Sequence, residues 1–199
     1  GAVDPAEVES YRRALDLDQA LATVDFSYQG VQYHREYLAS HPHQAIAVHL
    51  SADKPGMISF SAALGSAHEE VEATADGEGL VLKGRVQPDG IRFQAQVVVK
   101  AVGGTVTAVS DSGQPRIEVR AADSAAVLLV GASSFVSYRD ISADPAGRCA
   151  AYLEGLHGVD YNQIKAAHIE DYQKLFRKVS FELGATSLDQ PTDRRIANF

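Results

Sequence analysis

From Tyr11 to about Phe135 apolar and polar residues alternate with a period of two, the spacing of strands that bury one face and wet the other. Val24, Phe26 and Tyr28 alternate with Thr23, Asp25 and Ser27. After the turn signal Gln29-Gly30, Val31 and Tyr33 oppose Gln32 and His34, which predicts a hairpin with one apolar face. Ile46, Val48 and Leu50 alternate with Ala45, Ala47 and His49; Lys54-Pro55-Gly56 punctuates; Ile58, Phe60, Ala62 and Leu64 resume against Ser59 and Ser61. The clearest strand runs from Ile91 to Lys100, with Ile91, Phe93, Ala95, Val97 and Val99 on one face, and Gly103-Gly104 ends it. Ile117 and Val119, flanked by Arg116, Glu118 and Arg120, form a half-exposed strand. Ala125 to Val130 is a continuous apolar run, the mark of a strand covered on both faces. Many strands with one dry face each bury those faces most economically against a second sheet, so the pattern predicts an antiparallel β-sandwich.

The period changes after Phe135. Asp144-Pro145 reads as an N-cap followed by proline at the first helical position. It opens a helix over Ala146 to Leu156, ended by Gly158. Asp160 caps a second helix from Tyr161 to about Lys178, with Ile164, Ala167, Leu175 and Val179 near helical spacing. Val179 to Leu183 has strand character, and Ala185 to Phe199 reads as an exposed connection. The expected organisation is a β-sandwich over 1–140, two linker helices and a short β segment over 141–184, and a connection over 185–199.

The chain has 199 residues, ordinary globular composition and a formal net charge of -8. An acidic chain without runs of like charge argues against nucleic acid as a partner, since that affinity rests on clustered Lys and Arg. No apolar stretch approaches the length of a membrane-spanning helix, and the opening Gly1-Ala2-Val3-Asp4-Pro5 has no signal-peptide pattern. Cys149 is the single cysteine, so no internal disulfide and no multi-thiolate zinc site is expected.

The candidates for chemistry are few. Hydrolysis of a glycosidic bond normally uses two carboxyl groups about 5–10 Å apart. His68-Glu69-Glu70, Asp16 with Asp18, and the helix residues His168, Glu170 and Asp171 are the groups to weigh, each against a plain reading as solvated or packing charge. His34, His41, His43 and His49 crowd the first third, and His41 and His43, two residues apart, would share a strand face and grip a metal, but Pro42 interrupts them and no acidic or thiolate partner is near in sequence. Cys149 beside Ala150 and Ala151 reads as a small core residue. Ser133-Ser134 lacks a nucleophile-elbow setting, and Gly103-Gly104 reads as a hairpin turn rather than a phosphate loop. Exposed Tyr can stack on sugar rings, but the absence of Trp weakens the reading of a dedicated platform.

Several segments together resemble the N-terminal domain of glycoside hydrolase family 95, the α-L-fucosidases. They are Tyr11-Arg12-Arg13-Ala14-Leu15-Asp16-Leu17-Asp18, Val31-Gln32-Tyr33-His34-Arg35-Glu36, Ala39-Ser40-His41-Pro42 and Ser51-Ala52-Asp53-Lys54-Pro55-Gly56. Farther on come Ala122-Asp123-Ser124-Ala125, Ser133 to Asp140, His168 to Phe176, and Pro191-Thr192-Asp193. The resemblance implies a β-super-sandwich followed by linker helices, an (α/α)6 barrel and a small C-terminal β domain. In the family the barrel carries the acidic proton donor and the residues that activate water, beyond the position of Pro191-Thr192-Asp193. It therefore assigns no catalytic, cofactor-binding or metal residue here, and no cofactor. The expected partners are the (α/α)6 catalytic domain of the same enzyme and, for that enzyme, a fucosylated oligosaccharide. An extracellular or periplasmic address follows from the resemblance alone. The opening lacks the family's Trp-containing segment and Gly-rich hairpin, so the expectation is a chain without its first family strands. That leaves an edge or an interface patch open to self-association.

Three functions compete. The first is a non-catalytic domain that packs on and supports the barrel. The second is a sugar-binding sandwich acting alone, with a concave face of Tyr and charged residues. The third is an enzyme resembling mutarotases, with His68 and Glu69 or Glu70 as its working pair.

Overall fold

The apolar run at Ala125–Val130 lies at the centre of the architecture. A computed structural model of the chain describes residues 4–77, 79–110, 114–181 and 190–197. Among them the larger sheet uses β1 (Val8–Asp16), β2 (Leu21–Tyr28), β3 (Val31–Ser40), β4 (Ala45–Ala52), β6 (Val71–Asp76), β7 (Gly79–Arg85), β8 (Arg92–Val102) and β11 (Ser124–Ser133). Its order is β1-β2-β3-β4-β11-β8-β7-β6, with each neighbouring pair antiparallel. The smaller sheet uses β5 (Ile58–Ala63), β9 (Thr105–Val109) and β10 (Arg116–Ala122) in the order β5-β10-β9.

β11 pairs with β4 on one side and β8 on the other. Its side chains alternate between two cores, as a period of two requires. Ala125 packs with Val97, Val99, Ile117 and Val119 under the smaller sheet. Ala126, Leu128 and Val130 pack with Leu38, Ala47, Cys149 and Ile164 under the helices. The sandwich is therefore uneven: sheet covers one part of the large sheet's face, and helices cover the reverse.

The helices are α1 (Pro145–Glu154) and α2 (Tyr161–Phe176). Asp144 accepts the N–H groups of Ala146 and Gly147, and Asp160 forms a capping box with Gln163. Lys100 Nζ donates to the Leu156 and Val159 carbonyls, tying the link between the helices to β8. The two ends of the sandwich differ. One is closed by Gln29-Gly30 and Gly103-Gly104, two-residue turns whose residues have positive φ. The other carries turn 17–20, turn 41–44 and the long connection 134–143, and α2 runs down to it.

The antiparallel sandwich and both capped helices agree with the sequence pattern. Alternation does not single out β1, which is exposed along most of its length, nor β6, β7 and β9. β6 and β9 are short, and β7 is an apolar run whose Leu80, Val81 and Leu82 are all buried. The strand expected over Val179 to Leu183 is not formed at 179–181, where Val179 and Phe181 stand exposed and pair with no strand among the described residues; 182–183 lie outside them. Of the expected connection 185–199, residues 190–197 hold α3 (Thr192–Ala197), which buries none of its side chains.

Candidate functional site

Period-two placement puts His34 and Glu36 on the helix-covered face of β3. The turn at Gln29-Gly30 sets Tyr28 opposite Val31, so counting outward sets Asp25 opposite His34. Turn 41–44 likewise sets Glu36 opposite His49. His34 Nδ1 lies 2.6 Å from Asp25 Oδ1, and its Nε2 lies 3.6 Å from Glu36 Oε1. From α2 above, Lys165 Nζ donates to the same Glu36 oxygen, and the Tyr161 ring stacks on His49 at 4.5 Å. Burial raises the Glu36 pKa, but the Lys165 bond and charge outweigh it and hold the carboxyl below its ordinary value. The Tyr161 hydroxyl lies within reach of Glu36 but outside strict hydrogen-bond geometry; burial, then that negative charge, push its pKa well up. The chemistry of this seam is a clasp between α2 and β3. Each carboxylate is already matched to a cation or imidazole.

On the opposite face, β5 of the smaller sheet borders Phe26, Tyr28, Tyr33 and Arg35 of β2 and β3, and Tyr33 packs on the core beneath that sheet. Arg13, Val24 and Arg35 form one row across the three strands. With Tyr11, Phe26 and Tyr37 they line an open groove of about 680 Å³. The Arg35 guanidinium lies 4.9 Å from the Phe26 ring centroid, and Phe26 stacks on Tyr33 at 5.0 Å. The described residues lining this groove include no carboxylate. It is aromatic and cationic, suited to the faces and hydroxyls of a polar ring.

The sequence candidates are dispersed. His68, Glu69 and Glu70 sit on an exposed bend before β6, with the His68 ring tilted against Phe93 and Glu70 3.9 Å from Arg85. Asp144 lines a shallow groove with Glu70, but both its oxygens cap α1. Asp16 and Asp18 do not share a strand face, because Asp16 ends β1 and Asp18 lies in the following turn. Arg177 and Gln173 grip Asp18, and the Arg177 bond in particular lowers its pKa. His41 and His43 do not share a strand face either: both lie in turn 41–44. His41 approaches Asp171 at 3.4 Å, and His43 is 3.0 Å from Ser40 Oγ. His168 is buried with Nε2 3.0 Å from the Gln19 carbonyl, while Glu170 is solvated and paired with Lys174. Cys149 is fully buried, donates to the Gln94 carbonyl, and has its thiol pKa pushed up by burial. Ser134 is buried too, and its hydroxyl accepts the Arg92 N–H. Among the described residues no three His, Cys, Asp or Glu side chains gather to hold a metal ion.

The Asp25–His34 pair and the Arg13–Arg35 row follow from the hairpin register, but they lie on polar positions that the apolar alternation does not mark. Lys165 and Tyr161 had no such signal. Only packing brings them to β3 and β4.

Residues 3–138 match the family described as glycosyl hydrolase family 65, N-terminal domain. The chain is similar to alpha-L-fucosidase 2 of Arabidopsis thaliana, 30% identical over 91% of this chain and 24% of that protein. It is also similar to an alpha-fucosidase A of Aspergillus niger, 24% identical over 98% of this chain and 26% of that protein. The chain thus spans about a quarter of the length of these relatives. A solved structure described as a kojibiose phosphorylase from human microbiome shares the fold, with a TM-score of 0.58 at 10% identity, covering 85% of this chain and 25% of that one.

Proposed function

The chain belongs to the family of glycosyl hydrolase family 65 N-terminal domains, and from that membership we propose that it is the non-catalytic β-sandwich domain of a family 95 α-L-fucosidase, packing on and supporting an (α/α)6 catalytic barrel. An N-terminal domain of a glycosidase implies a catalytic domain in the same polypeptide. The fucosidase reading is supported by the two α-fucosidase relatives, aligned along nearly the whole chain. The non-catalytic reading is carried by how the candidate carboxylates are engaged: Glu36 by Lys165, Asp18 by Arg177, Glu170 by Lys174 and Asp144 by the first turn of α1. A retaining or inverting pair needs two carboxyls facing one sugar across a cleft. In this reading residues 1–140 are the sandwich, residues 141–184 lead towards the barrel, and the enzyme works outside the cytoplasm.

One observation favours a second reading, a sugar-binding sandwich: the open groove with Tyr11, Arg13, Arg35 and Tyr37. Incubating the chain with a chromogenic α-L-fucoside and titrating fucose by calorimetry separates the two. Inertness in both assays, with hydrolysis once the catalytic domain is joined, is the outcome expected. Saturable binding lost in Arg35→Ala would favour the sugar-binding module, and turnover by the chain alone would defeat both.

A further inference from the structure

Exposed apolar side chains crowd one end of the sandwich. The end where β2 meets β3 and β8 meets β9 is sealed by two-residue turns, and its large exposed apolar side chains are Met57 and Val102. At the opposite end Leu17, Phe135, Val136, Tyr138 and Phe176 all stand in solvent, with Tyr138 83% exposed. A soluble surface rarely concentrates so many large apolar groups without a partner for them.

The connection that carries three of them is held in shape. Arg148 Nη1 donates to the Ser133 and Phe135 carbonyls at 2.8 and 3.0 Å. The Ser134 N–H donates to the Arg92 carbonyl, and the Arg92 N–H donates to the Ser134 hydroxyl. Asp140 closes the loop on itself, its carbonyl accepting from Val136 and Ser137 and its carboxylate from Ser142. Phe135, Val136 and Tyr138 are therefore presented outward at little entropic cost to a partner. Beside them, between turn 41–44 and β11, runs a groove of about 500 Å³ lined by Ala39, His41, Ile46, Ala95, Leu129 and Gly131.

We infer that this end of the sandwich, centred on Phe135, Val136 and Tyr138, is the surface on which the catalytic domain of the same polypeptide docks. The inference rests on the reading of the chain as an N-terminal glycosidase domain, and names where its partner sits. The path of the backbone selects the occupant. α2 runs toward this end, where Gln173 and Arg177 bind Asp18, and the polypeptide leaves the helix here, with Val179 exposed just beyond Phe176. A domain that follows in sequence is tethered at this end, so its effective concentration is highest against this surface. The Tyr11–Arg35 groove lies on the opposite face of the large sheet from α2 and has no such tether.

Amide hydrogen exchange on the chain alone and on the intact enzyme tests the assignment. Docking slows the amides of 135–141 at least tenfold in the intact enzyme. Unchanged exchange there, with new protection on β1 to β3, overturns it. Because the side chains are exposed, Val136→Asp combined with Tyr138→Asp leaves the melting of the isolated chain unchanged. In the intact enzyme the pair abolishes the gained protection. If the isolated chain forms a dimer that the same pair dissolves, the surface belongs to a second copy and the assignment fails. Fucoside hydrolysis by the intact enzyme is read separately. Protection at 135–141 in an enzyme inactive on fucosides upholds the docking and sinks the fucosidase reading, whereas hydrolysis without protection does the reverse.

Discussion

Gly104 and His49 show how single positions constrain this chain. Gly103 and Gly104 both have positive φ in the two-residue turn between β8 and β9, and a Cβ on Gly104 would collide with the Arg120 carbonyl oxygen. Gly104→Ala therefore adds backbone strain and a clash that the rigid end of β10 cannot relieve. It is expected to destabilise the fold by about 1–3 kcal/mol in denaturant titration. His49 is governed by solvation. Burial holds its pKa below the ordinary 6.5; the Glu36 charge opposes that shift, and His34 and Lys165 reinforce it. A group with a depressed folded pKa binds protons more readily in the unfolded chain. Its contribution is complete above pH 6.5 and is lost as pH falls through the lower folded value. Thermal midpoints are expected to decline on the acid side of 6.5. His49→Phe, which keeps the stack on Tyr161, flattens that decline. His43, shifted the same way by burial, preserves part of it.

At the scale of elements, α2 depends on its cap and on its clasp. Asp160→Ala removes the side-chain acceptor for the Gln163 N–H and is expected to cost about 1 kcal/mol of unfolding free energy. Glu36→Ala leaves the Lys165 ammonium, 28% exposed, without its carboxylate, at a cost of about 1–2 kcal/mol after discounting for solvent screening. Leu128→Ala on β11 is larger, about 2–5 kcal/mol, because the side chain is 1% exposed between two paired strands and α1. Chemical denaturation of the three variants should rank them with Leu128→Ala the most damaging. If Asp160→Ala matched it, α2 rather than the central strand would be the weak point of the fold.

At the scale of the molecule, the two faces of the large sheet are covered by different means. Sheet β5-β10-β9 covers the middle of one face, and α1 and α2 cover the other. Truncation after Ala143 strips the helices from Leu38, Ala47, Leu128 and Val130, and the product is expected to bind a hydrophobic dye and lose cooperative melting. Truncation after Phe181 keeps both helices and should melt in one transition. A cooperative, dye-silent product ending at Ala143 would show that the sheets fold without their helical cover.

The alternation from Val24 to Tyr33, the Ala125–Val130 run and the Asp144-Pro145 and Asp160 caps determined strand class, the doubly covered strand and the helix starts by themselves. Each depends on neighbours within a few residues, where period, cap chemistry and turn stereochemistry act directly. The hairpin even fixed Asp25 against His34. Tertiary structure alone decided that Lys165 reaches Glu36, that Arg177 reaches Asp18, and that Val179–Phe181 form no strand. It also decided that Phe135, Val136 and Tyr138 share one end with Leu17 and the C-terminal turn of α2. Such pairings join residues far apart in the chain, and their geometry follows from how the layers stack, which no local pattern records.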